Sequence, residues 1–316
     1  MPRCFAPRGK TGITSIGFTH LYSSTDWSQS RMNSILPFLF DLLAYTAVFV
    51  IIVLGLGVIA SMMGIFNFAH GEFLLLGAYS VFFLDRAGVP PWMGMVCAPI
   101  IVGVVGLFLE RFAIRRFYAT PVVAMLGTYA IGLVIREAVR TALGGQFYTV
   151  VAPLDGPIMF GDLSISKWRT VVIVVTLLVL LGCWILFKKT NFGLKVRAAL
   201  ENPMLARASG VAVNRVYSAT FAFGAALAGL AGALMVPLYP LNADMGVTFL
   251  IKAFLAVMLG GVGGLQGSVA GSTLVGSISA ALPWVIKPVV ADVMVFVIAI
   301  MVVKIRPDGL LSKRRS

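Results

Sequence analysis

Long apolar runs separated by short polar loops dominate the sequence. A helix that crosses a membrane needs about 20 apolar residues, and 18 or more with few charges make a candidate. Several runs are near this length, and three shorter ones follow between Gly-rich or Pro-containing turns. The runs cover residues 38–61, 64–84, 91–113, 121–141, 170–187, 214–236, 247–262, 267–284 and 289–305. The pattern predicts an all-α polytopic membrane protein with about 8–9 transmembrane helices.

The composition excludes an ordinary soluble enzyme. Of the 316 residues, 59% are hydrophobic and 12% are charged, whereas a soluble domain has roughly a quarter charged residues. The polar segments between the runs are too short for an attached catalytic domain. The cysteines Cys4, Cys97 and Cys183 are far apart, which indicates neither a disulfide framework nor a metal cluster. We expect no cofactor.

Basic residues outnumber acidic residues by 25 to 12 and lie between the apolar runs. They are therefore interpreted as markers of topology and not as a nucleic-acid surface, because Lys and Arg in short loops mark the cytoplasmic side. The clusters near 111–118, in 188–213 and in the C-terminal tail are expected in the cytoplasm. The loop 144–166 and the turn 237–246 are then expected outside. Nine crossings would place the N-terminus outside and the C-terminus in the cytoplasm.

Residues 1–31 form a polar extension that is rich in Ser and Thr. The extension lacks the apolar core of a secretory signal peptide. Our hypothesis is that translation begins at Met32, since Met32-Asn33-Ser34 leads directly into the first apolar run. Peptides from residues 1–31 in the native protein would contradict it. Residues 32–316 are expected to form a single transmembrane domain.

The first of two Gly-rich breaks, at 64–72, contains Asn67, His70 and Glu72 within six residues of apolar sequence. Polar side chains at membrane depth are usually paired or line a pathway. Two interpretations stay open. The three side chains face a translocation route at an interrupted helix, or Asn67 caps the second half-helix while the other two hydrogen-bond neighbouring helices. The break lacks a His-Glu-x-x-His motif, so no metal site is expected.

The second break, at 260–267, lacks the Gly-Lys-Ser/Thr sequence of a phosphate-binding loop, so it is not expected to bind ATP. The small residues after it and in the run 214–236 predict close helix packing. They are Ser268, Ala270, Gly271, Ser272, Gly276, Ser277, Gly224, Ala225, Ala228, Gly229 and Gly232. Interrupted helices in both halves of a membrane protein indicate a transport site near the midplane.

The basic loop 190–213 contains start and stop signals for a short helix. Asn202 is a good N-cap, Pro203 suits the first helical position and Gly210 suits the position after the C-cap. The loop therefore predicts a helix over 203–209. Composition leaves its role open between a docking element for a cytoplasmic partner and an interfacial helix that rests on lipid.

Other charged residues within the runs are interpreted as structural. Arg136, Glu137 and Arg140 lie at the outer end of their run, where i,i+3 pairing and snorkelling are expected. Asp41 and Asp292 are isolated acids without obvious partners. They are poor evidence for a proton relay.

A set of motifs follows in order along the chain. They are Asn67-Phe68-Ala69-His70-Gly71-Glu72, Phe192-Gly193-Leu194-Lys195-Val196-Arg197-Ala198, Asn202-Pro203, Ala226-Leu227-Ala228-Gly229-Leu230-Ala231-Gly232, Gly260-Gly261-Val262-Gly263 and Arg306-Pro307-Asp308-Gly309-Leu310. In this combination the chain resembles the inner-membrane permease subunits of branched-chain amino acid ABC importers, a family that includes urea and amide permeases. The resemblance covers about residues 36–312.

The resemblance implies a permease that works with a second homologous permease, two cytoplasmic ATPase subunits and a periplasmic substrate-binding protein. It implies that the segment 190–213 couples the permease to the ATPase. The candidate coupling residues are Arg197, Asn202, Pro203, Arg207 and Gly210. Asn67, His70 and Glu72 are the candidates for the translocation pathway. ATP hydrolysis would take place in the partner, so this chain is not expected to be an enzyme.

The expected substrate is a branched-chain or other hydrophobic amino acid. Urea permeases of the family tend to have Met where this chain has Phe68, which favours amino acids over urea or a short amide. A solute channel is an alternative from another class, because Asn67-Phe68-Ala69 resembles the Asn-Pro-Ala half-helices of aquaporins without the Pro. A proton- or sodium-coupled secondary transporter is a further alternative.

Overall fold

The computed structural model describes residues 24–118, 120–160, 163–261, 264–305 and 309, and within these ranges the side chains from residue 37 onward except those of residues 62, 160 and 163. This part of the chain consists of helices and one antiparallel hairpin. The elements are α1 Ser24–Met63, α2 His70–Arg86, α3 Pro91–Phe112, α4 Pro121–Leu143, β1 Pro157–Phe160, β2 Leu163–Ser166, α5 Lys167–Lys189, α6 Asn191–Glu201, α7 Pro203–Ala208, α8 Val213–Met235, α9 Met245–Gly260, α10 Leu265–Ala281 and α11 Pro288–Ile305. Short 3-10 helices cover Ile114–Phe117 and Leu282–Trp284.

Six helices in the described ranges are long and apolar enough to cross a membrane, namely α1 over Pro37–Ser61, α3, α4, α5, α8 and α11. The apolar α9 has 16 residues, and α2 and α10 have 17 each. Helices of this length reach about 25 Å, less than the roughly 30 Å of the hydrocarbon core. The all-α polytopic fold is confirmed. Length and composition do not establish the predicted count of 8–9 spans.

The centre of the bundle is formed by α1 and α8, which are mostly buried. Helices α2 and α3 pack on α8, and α10 packs on α1. By contrast, α3, α4, α5 and α11 expose most of their apolar surface. A membrane protein can leave such surface uncovered by its own chain, because lipid or another membrane subunit contacts it.

Glycines allow the central helices to approach each other closely. A Cβ atom added to Gly77 of α2 would overlap the backbone of Gly229 in α8. At the other break, a Cβ atom on Gly260 of α9 would overlap the backbone of Gly267 in α10. The predicted close packing of small residues is confirmed at these contacts.

Both predicted helix interruptions are present. The first occupies residues 64–69 between α1 and α2, and the second lies between Gly260 and Leu265, with Val262 and Gly263 outside the described residues. Gly64 and Gly261, each directly after a helix, have φ angles of 64° and 88°. This left-handed conformation ends a helix and favours glycine.

The prediction for the polar extension 1–31 falls mostly outside the described residues, which begin at Ser24 with the start of α1. The hypothesis of a start at Met32 and the limits of the transmembrane domain stay predictions. Residues 306–308 and 310–316, with most of the basic C-terminal tail, also lie outside the described ranges.

The expectation that Asp41 and Asp292 lack partners is wrong. Asp41 of α1 forms an ion pair with Arg169 of α5. Asp292 of α11 accepts a hydrogen bond from Lys252 Nζ of α9 at 2.7 Å. Both partners lie on a different helix, so spacing along one run could not reveal them.

Candidate functional site

The first break turns back into the bundle. His70 Nε2 lies 2.9 Å from the carbonyl oxygen of Ile52, near the middle of the span Pro37–Ser61. From Ile52, α1 continues for another 11 residues to Met63, a distance of about 16 Å along the helix axis. Residues 64–69 therefore run back along α1, and α2 begins in the interior of the protein.

Asn67 shapes this turn and does not cap α2. Its side chain is 1% exposed, and its Oδ1 accepts a hydrogen bond from the backbone N–H of Ala69 at 3.0 Å. The N-cap position of α2 is Ala69, which provides no side-chain hydrogen bond. Capping of α2 by Asn67 is therefore wrong, because Asn67 stabilises an Asx-type turn just before the helix. The hydrogen bonds that the same interpretation expected of His70 and Glu72 with neighbouring helices are present.

His70 and Glu72 are fully buried in the first turn of α2. His70 Nε2 is within hydrogen-bonding distance of Ile52, as described above. Glu72 Oε1 accepts hydrogen bonds from Arg136 Nε at 3.0 Å and from Nη2 at 2.8 Å. A carboxylate this deep in a membrane protein needs such a partner, since an unpaired buried charge is costly.

Each of the three candidate side chains keeps one polar atom without a hydrogen-bond partner in the described part of the chain. The atoms are Asn67 Nδ2, His70 Nδ1 and Glu72 Oε2. A buried polar atom without a partner costs about 1–3 kcal/mol, so such atoms are few in folded proteins. Three of them within six residues mark the break as a polar site with unused hydrogen-bonding capacity.

One face of α4 covers the break. Its buried or ion-paired positions recur every four residues, at Ala124, Thr128, Gly132 and Arg136. Thr128 Oγ1 accepts a hydrogen bond from the backbone N–H of Phe68 at 3.1 Å. A Cβ atom on Gly132 would lie 3.3 Å from Glu72 Cγ. Within the described residues, α4 mainly contacts the 3-10 helix before it and α2.

Arg136 binds Glu72 of another helix and not a residue of its own run. The i,i+3 pair is confirmed for Arg140 and Glu137, whose Nη1 and Oε1 atoms are 2.9 Å apart. Arg140 also binds Asp244 at the start of α9. Sequence reasoning missed the role of α4, although the four-residue spacing of its small and polar residues could have indicated a packed face.

Helix α9 contacts the same site from another side. A Cβ atom added to Gly71 would overlap the carbonyl oxygen of Gly246, the second residue of α9. A Cβ atom on Gly246 would lie 3.1 Å from Glu72 Oε2, the atom without a partner. Glu72 is thus located where α2, α4 and α9 meet. In the same break, the rings of Phe66 and Phe68 contact the ring of Phe254 of α9 at centroid distances of 4.8 and 5.8 Å.

The short helix predicted over 203–209 is present as α7, which ends one residue earlier at Ala208. Asn202 Oδ1 accepts a hydrogen bond from the backbone N–H of Leu205 at 3.0 Å, as an N-cap does. Gly210 has a φ angle of 83°, and its N–H donates to the Arg207 carbonyl at 3.0 Å. The N–H of Val211 donates to the Ala206 carbonyl at 2.9 Å, which completes a Schellman motif.

Helix α6 was not predicted. It begins after Thr190, whose Oγ1 accepts a hydrogen bond from the backbone N–H of Gly193 at 3.3 Å. Its buried face consists of Gly193, Val196 and Ala199, at helical spacing. Arg197, a candidate coupling residue, donates a hydrogen bond to the Phe187 carbonyl at the end of α5. Arg197 therefore braces the junction between α5 and α6.

The surface of the segment 190–213 exposes large apolar side chains. Met204 is 79% exposed and Leu205 is 64% exposed in α7, and Leu194 and Leu200 of α6 are also exposed. Arg207 is exposed on the same short helix. Adjacent exposed apolar side chains with a basic neighbour are typical of a contact surface.

The sequence matches a known protein family. The sequence model for branched-chain amino acid transport system permease components matches residues 38–303, a range that includes the break and the segment 190–213. BraD of Pseudomonas aeruginosa, a high-affinity branched-chain amino acid transport system permease protein, is 27% identical over 281 residues, which cover 84% of this chain and 92% of BraD.

Two further relatives carry related descriptions. LivH of Escherichia coli K12, also a high-affinity branched-chain amino acid transport system permease protein, is 27% identical over 281 residues, covering 84% of this chain and 91% of LivH. The probable branched-chain amino acid permease LivH of Methanocaldococcus jannaschii is 27% identical over 240 residues, covering 73% of this chain and 76% of the relative. The chain therefore belongs to the family of branched-chain amino acid transport system permeases, and it is a multi-pass membrane component of an ABC importer.

Proposed function

We propose that this chain carries branched-chain or other hydrophobic amino acids across the inner membrane as a permease of an ATP-driven importer. The observation that carries the proposal is the family match over residues 38–303, because it spans both the polar break and the segment 190–213. The names of the three relatives describe them as permeases for branched-chain amino acids.

The proposed assembly contains a second homologous permease, two cytoplasmic ATPase subunits and a periplasmic substrate-binding protein. ATP is hydrolysed in the ATPase subunits and not in this chain. The mostly exposed apolar helices α4, α5 and α11 provide surface for a second permease and for lipid. The distribution of Lys and Arg supports a cytoplasmic C-terminus and an N-terminus outside.

In this proposal, Asn67, His70 and Glu72 belong to the translocation pathway. They are buried, so the conformation described above is closed at the break. The route opens when α4 moves away from α2, which separates Arg136 from Glu72 and Thr128 from Phe68. Helix α4 suits this movement, because it makes fewer contacts with the bundle than the central helices do. ATP binding in the partner would shift the population between closed and open states.

The chemistry of the break suits an amino acid with an apolar side chain. The N-terminus of α2 carries a partial positive charge in the interior of the protein, which favours a carboxylate. The free Oε2 of Glu72 can accept a hydrogen bond from an ammonium group. Phe66, Phe68 and Phe254 provide an apolar surface next to these groups.

We assign the contact with the ATPase to α7. Asn202, Pro203 and Gly210 build this helix, and Arg207 lies on its exposed surface. Arg197 supports the contact indirectly, because it braces the junction of α5 and α6. The exposed apolar tip, Met204-Leu205, would insert into a groove of the ATPase, as an exposed helix face does in helix-in-groove recognition.

Co-purification and uptake test the proposal together. The variant Met204→Ser/Leu205→Ser should lose most of the co-purifying ATPase and most leucine uptake. Leu154→Ser, at an exposed apolar residue of the loop 144–166, is the control and should retain both. Equal ATPase binding by the double variant and the wild type would contradict the coupling assignment.

Substitution in the break tests the pathway assignment. Asn67→Leu and His70→Leu should each lower uptake while the protein still folds and bound ATPase stays close to wild type. Loss of folding in both would instead support a structural role. Uptake of urea or a short amide in place of leucine would favour the alternative substrate class. Transport without an ATPase, abolished by an uncoupler, would favour a secondary transporter.

A further inference from the structure

A cavity of about 700 Å³ lies where the end of α3 meets the start of α8. Arginines from four elements line it, namely Arg111 of α3, Arg115 of the following 3-10 helix, Arg207 of α7 and Arg215 of α8. The basic loops predict that this end of the bundle is cytoplasmic. The cavity therefore concentrates positive charge near the expected level of the inner lipid headgroups.

Of these four arginines, only Arg115 has an ion-pair partner within the described ranges. Its Nε lies 3.2 Å from Oε1 of the buried Glu110, which also accepts a hydrogen bond from Tyr118 at 2.8 Å. The other three arginines of the cavity make no salt bridge with the residues that the structure describes. Three uncompensated guanidinium groups around one cavity favour an anion, and their planar donor geometry matches a phosphate.

An apolar groove continues from the cavity along α3. It has a volume of about 370 Å³, shares Leu107 and Ala222 with the cavity and is lined entirely by apolar residues and glycine. Gly103, which has no side chain, and Ala226, which has a small one, leave this groove open on the surface along the seam of α3 and α8. From Pro99 to Leu107 the groove follows α3 for about 12 Å, enough for part of an acyl chain.

We propose that the cavity and the groove together bind an anionic phospholipid, with its phosphate on Arg111 and Arg215 and one acyl chain between α3 and α8. A free phosphate would leave the apolar groove empty. An acidic segment of a soluble protein would likewise leave unfilled the apolar groove, which is lined by exposed residues of α3 such as Ile100 and Val104. The charged cavity and the adjoining apolar groove match the two parts of a lipid.

A bound headgroup would also contact Arg207 of α7, the helix that we assign to the ATPase contact. The lipid would then join α3 and α8 to the coupling segment. This consequence rests on the proposed function, whereas binding of the lipid does not. An experiment can therefore contradict lipid binding without contradicting the proposed function, and the reverse.

Native mass spectrometry of the detergent-purified protein with its co-purifying partners tests lipid binding. Phosphatidylglycerol should be retained about tenfold better than phosphatidylcholine with the same acyl chains. Arg111→Gln and Arg215→Gln should each lower phosphatidylglycerol retention about fivefold. Arg116→Gln is the matched control, because Arg116 is exposed in the same basic cluster and does not line the cavity. Equal retention of the two lipids, or an equal loss in the control, would overturn the proposal.

A second variant separates a lipid from a free anion. Ala226→Leu should fill the groove and lower phosphatidylglycerol retention, while any stabilisation by inorganic phosphate stays unchanged. If inorganic phosphate stabilises the protein as much as phosphatidylglycerol does, and Ala226→Leu retains the lipid, the site binds only a free anion and the proposal is wrong.

The charge variants also distinguish a protein partner. If Arg111→Gln and Arg215→Gln lose the ATPase but retain phosphatidylglycerol, the cavity belongs to a protein interface and the lipid proposal is wrong. Absence of an ATPase from the wild-type preparation would instead contradict the proposed function. The lipid-retention measurements would still test lipid binding in that case.

Discussion

The polar break and the coupling segment are stabilised in different ways. In α7, Asn202 and Gly210 satisfy the helix ends with hydrogen bonds to residues no more than four positions away. In the break, Phe68 and Glu72 depend on Thr128 and Arg136 of α4, which are 60 and 64 residues away. The coupling helix is thus a local structure, whereas the break exists only in the folded bundle.

The largest effect is expected in the break, when Glu72 loses its ion-pair partner on α4. Arg136→Gln leaves the buried carboxylate without its charged partner, which costs about 3–5 kcal/mol. We expect a large fall in the thermal unfolding temperature and loss of uptake. The double variant Glu72→Gln/Arg136→Gln should recover much of the stability, since it removes the buried charge. A single variant as stable as the wild type would show that the pair does not hold α4 in place.

The next effect concerns the hydrogen bond between Thr128 and the break. Thr128→Val preserves the shape of the side chain but leaves the backbone N–H of Phe68 without an acceptor, at a cost of about 1–3 kcal/mol. Thr128→Ser keeps the hydroxyl and is the control. Hydrogen exchange should show faster exchange of α4 amides in the valine variant. Identical exchange in the two variants would indicate that other contacts position α4.

A smaller effect is expected in the coupling segment. Asn202→Ala removes the N-cap of α7 and costs about 1 kcal/mol. Because α7 is local, the global unfolding temperature should change little while the amount of bound ATPase falls several-fold. Asn202→Asp keeps an acceptor and should bind the ATPase normally. A clear drop in global stability would show that α7 is part of the cooperative core.

The smallest effect is expected at the exposed pair beside the break. Arg140→Gln removes the ion pairs with Glu137 and Asp244, which are solvent-exposed and therefore worth less than about 1 kcal/mol. Uptake and thermal stability should stay near wild type. An effect as large as that of Arg136→Gln would mean that the Asp244 contact holds the start of α9 in place.

Most of the helices could be predicted from the sequence, because apolar runs of membrane length leave few alternatives to a helix. The bounds of α7 followed from three local signals, Asn202, Pro203 and Gly210. Helix α6 was missed, since its buried face contains only Gly193, Val196 and Ala199 and its charged residues suggested a loop.

The candidate site was less predictable. Its location followed from the unusual polar residues at 64–72, but the partners of Glu72 and Asn67 did not. The pair of Glu137 and Arg140 could be expected because i,i+3 spacing is visible in a sequence, whereas the contact of Arg136 with Glu72 joins two distant helices and is not visible there. The same reason explains the missed partner of Asp292, which is Lys252.

The central position of α8 has a consequence for biosynthesis. Helices α1, α2 and α3 all pack on α8, whose last residue, Met235, is added 123 residues after α3 ends at Phe112. At roughly 5–20 residues per second, the first three helices are in the membrane for about 6–25 s before α8 is complete. During this interval the glycine-lined surface of α2 is uncovered, which makes it a natural target for an insertion factor or a membrane chaperone.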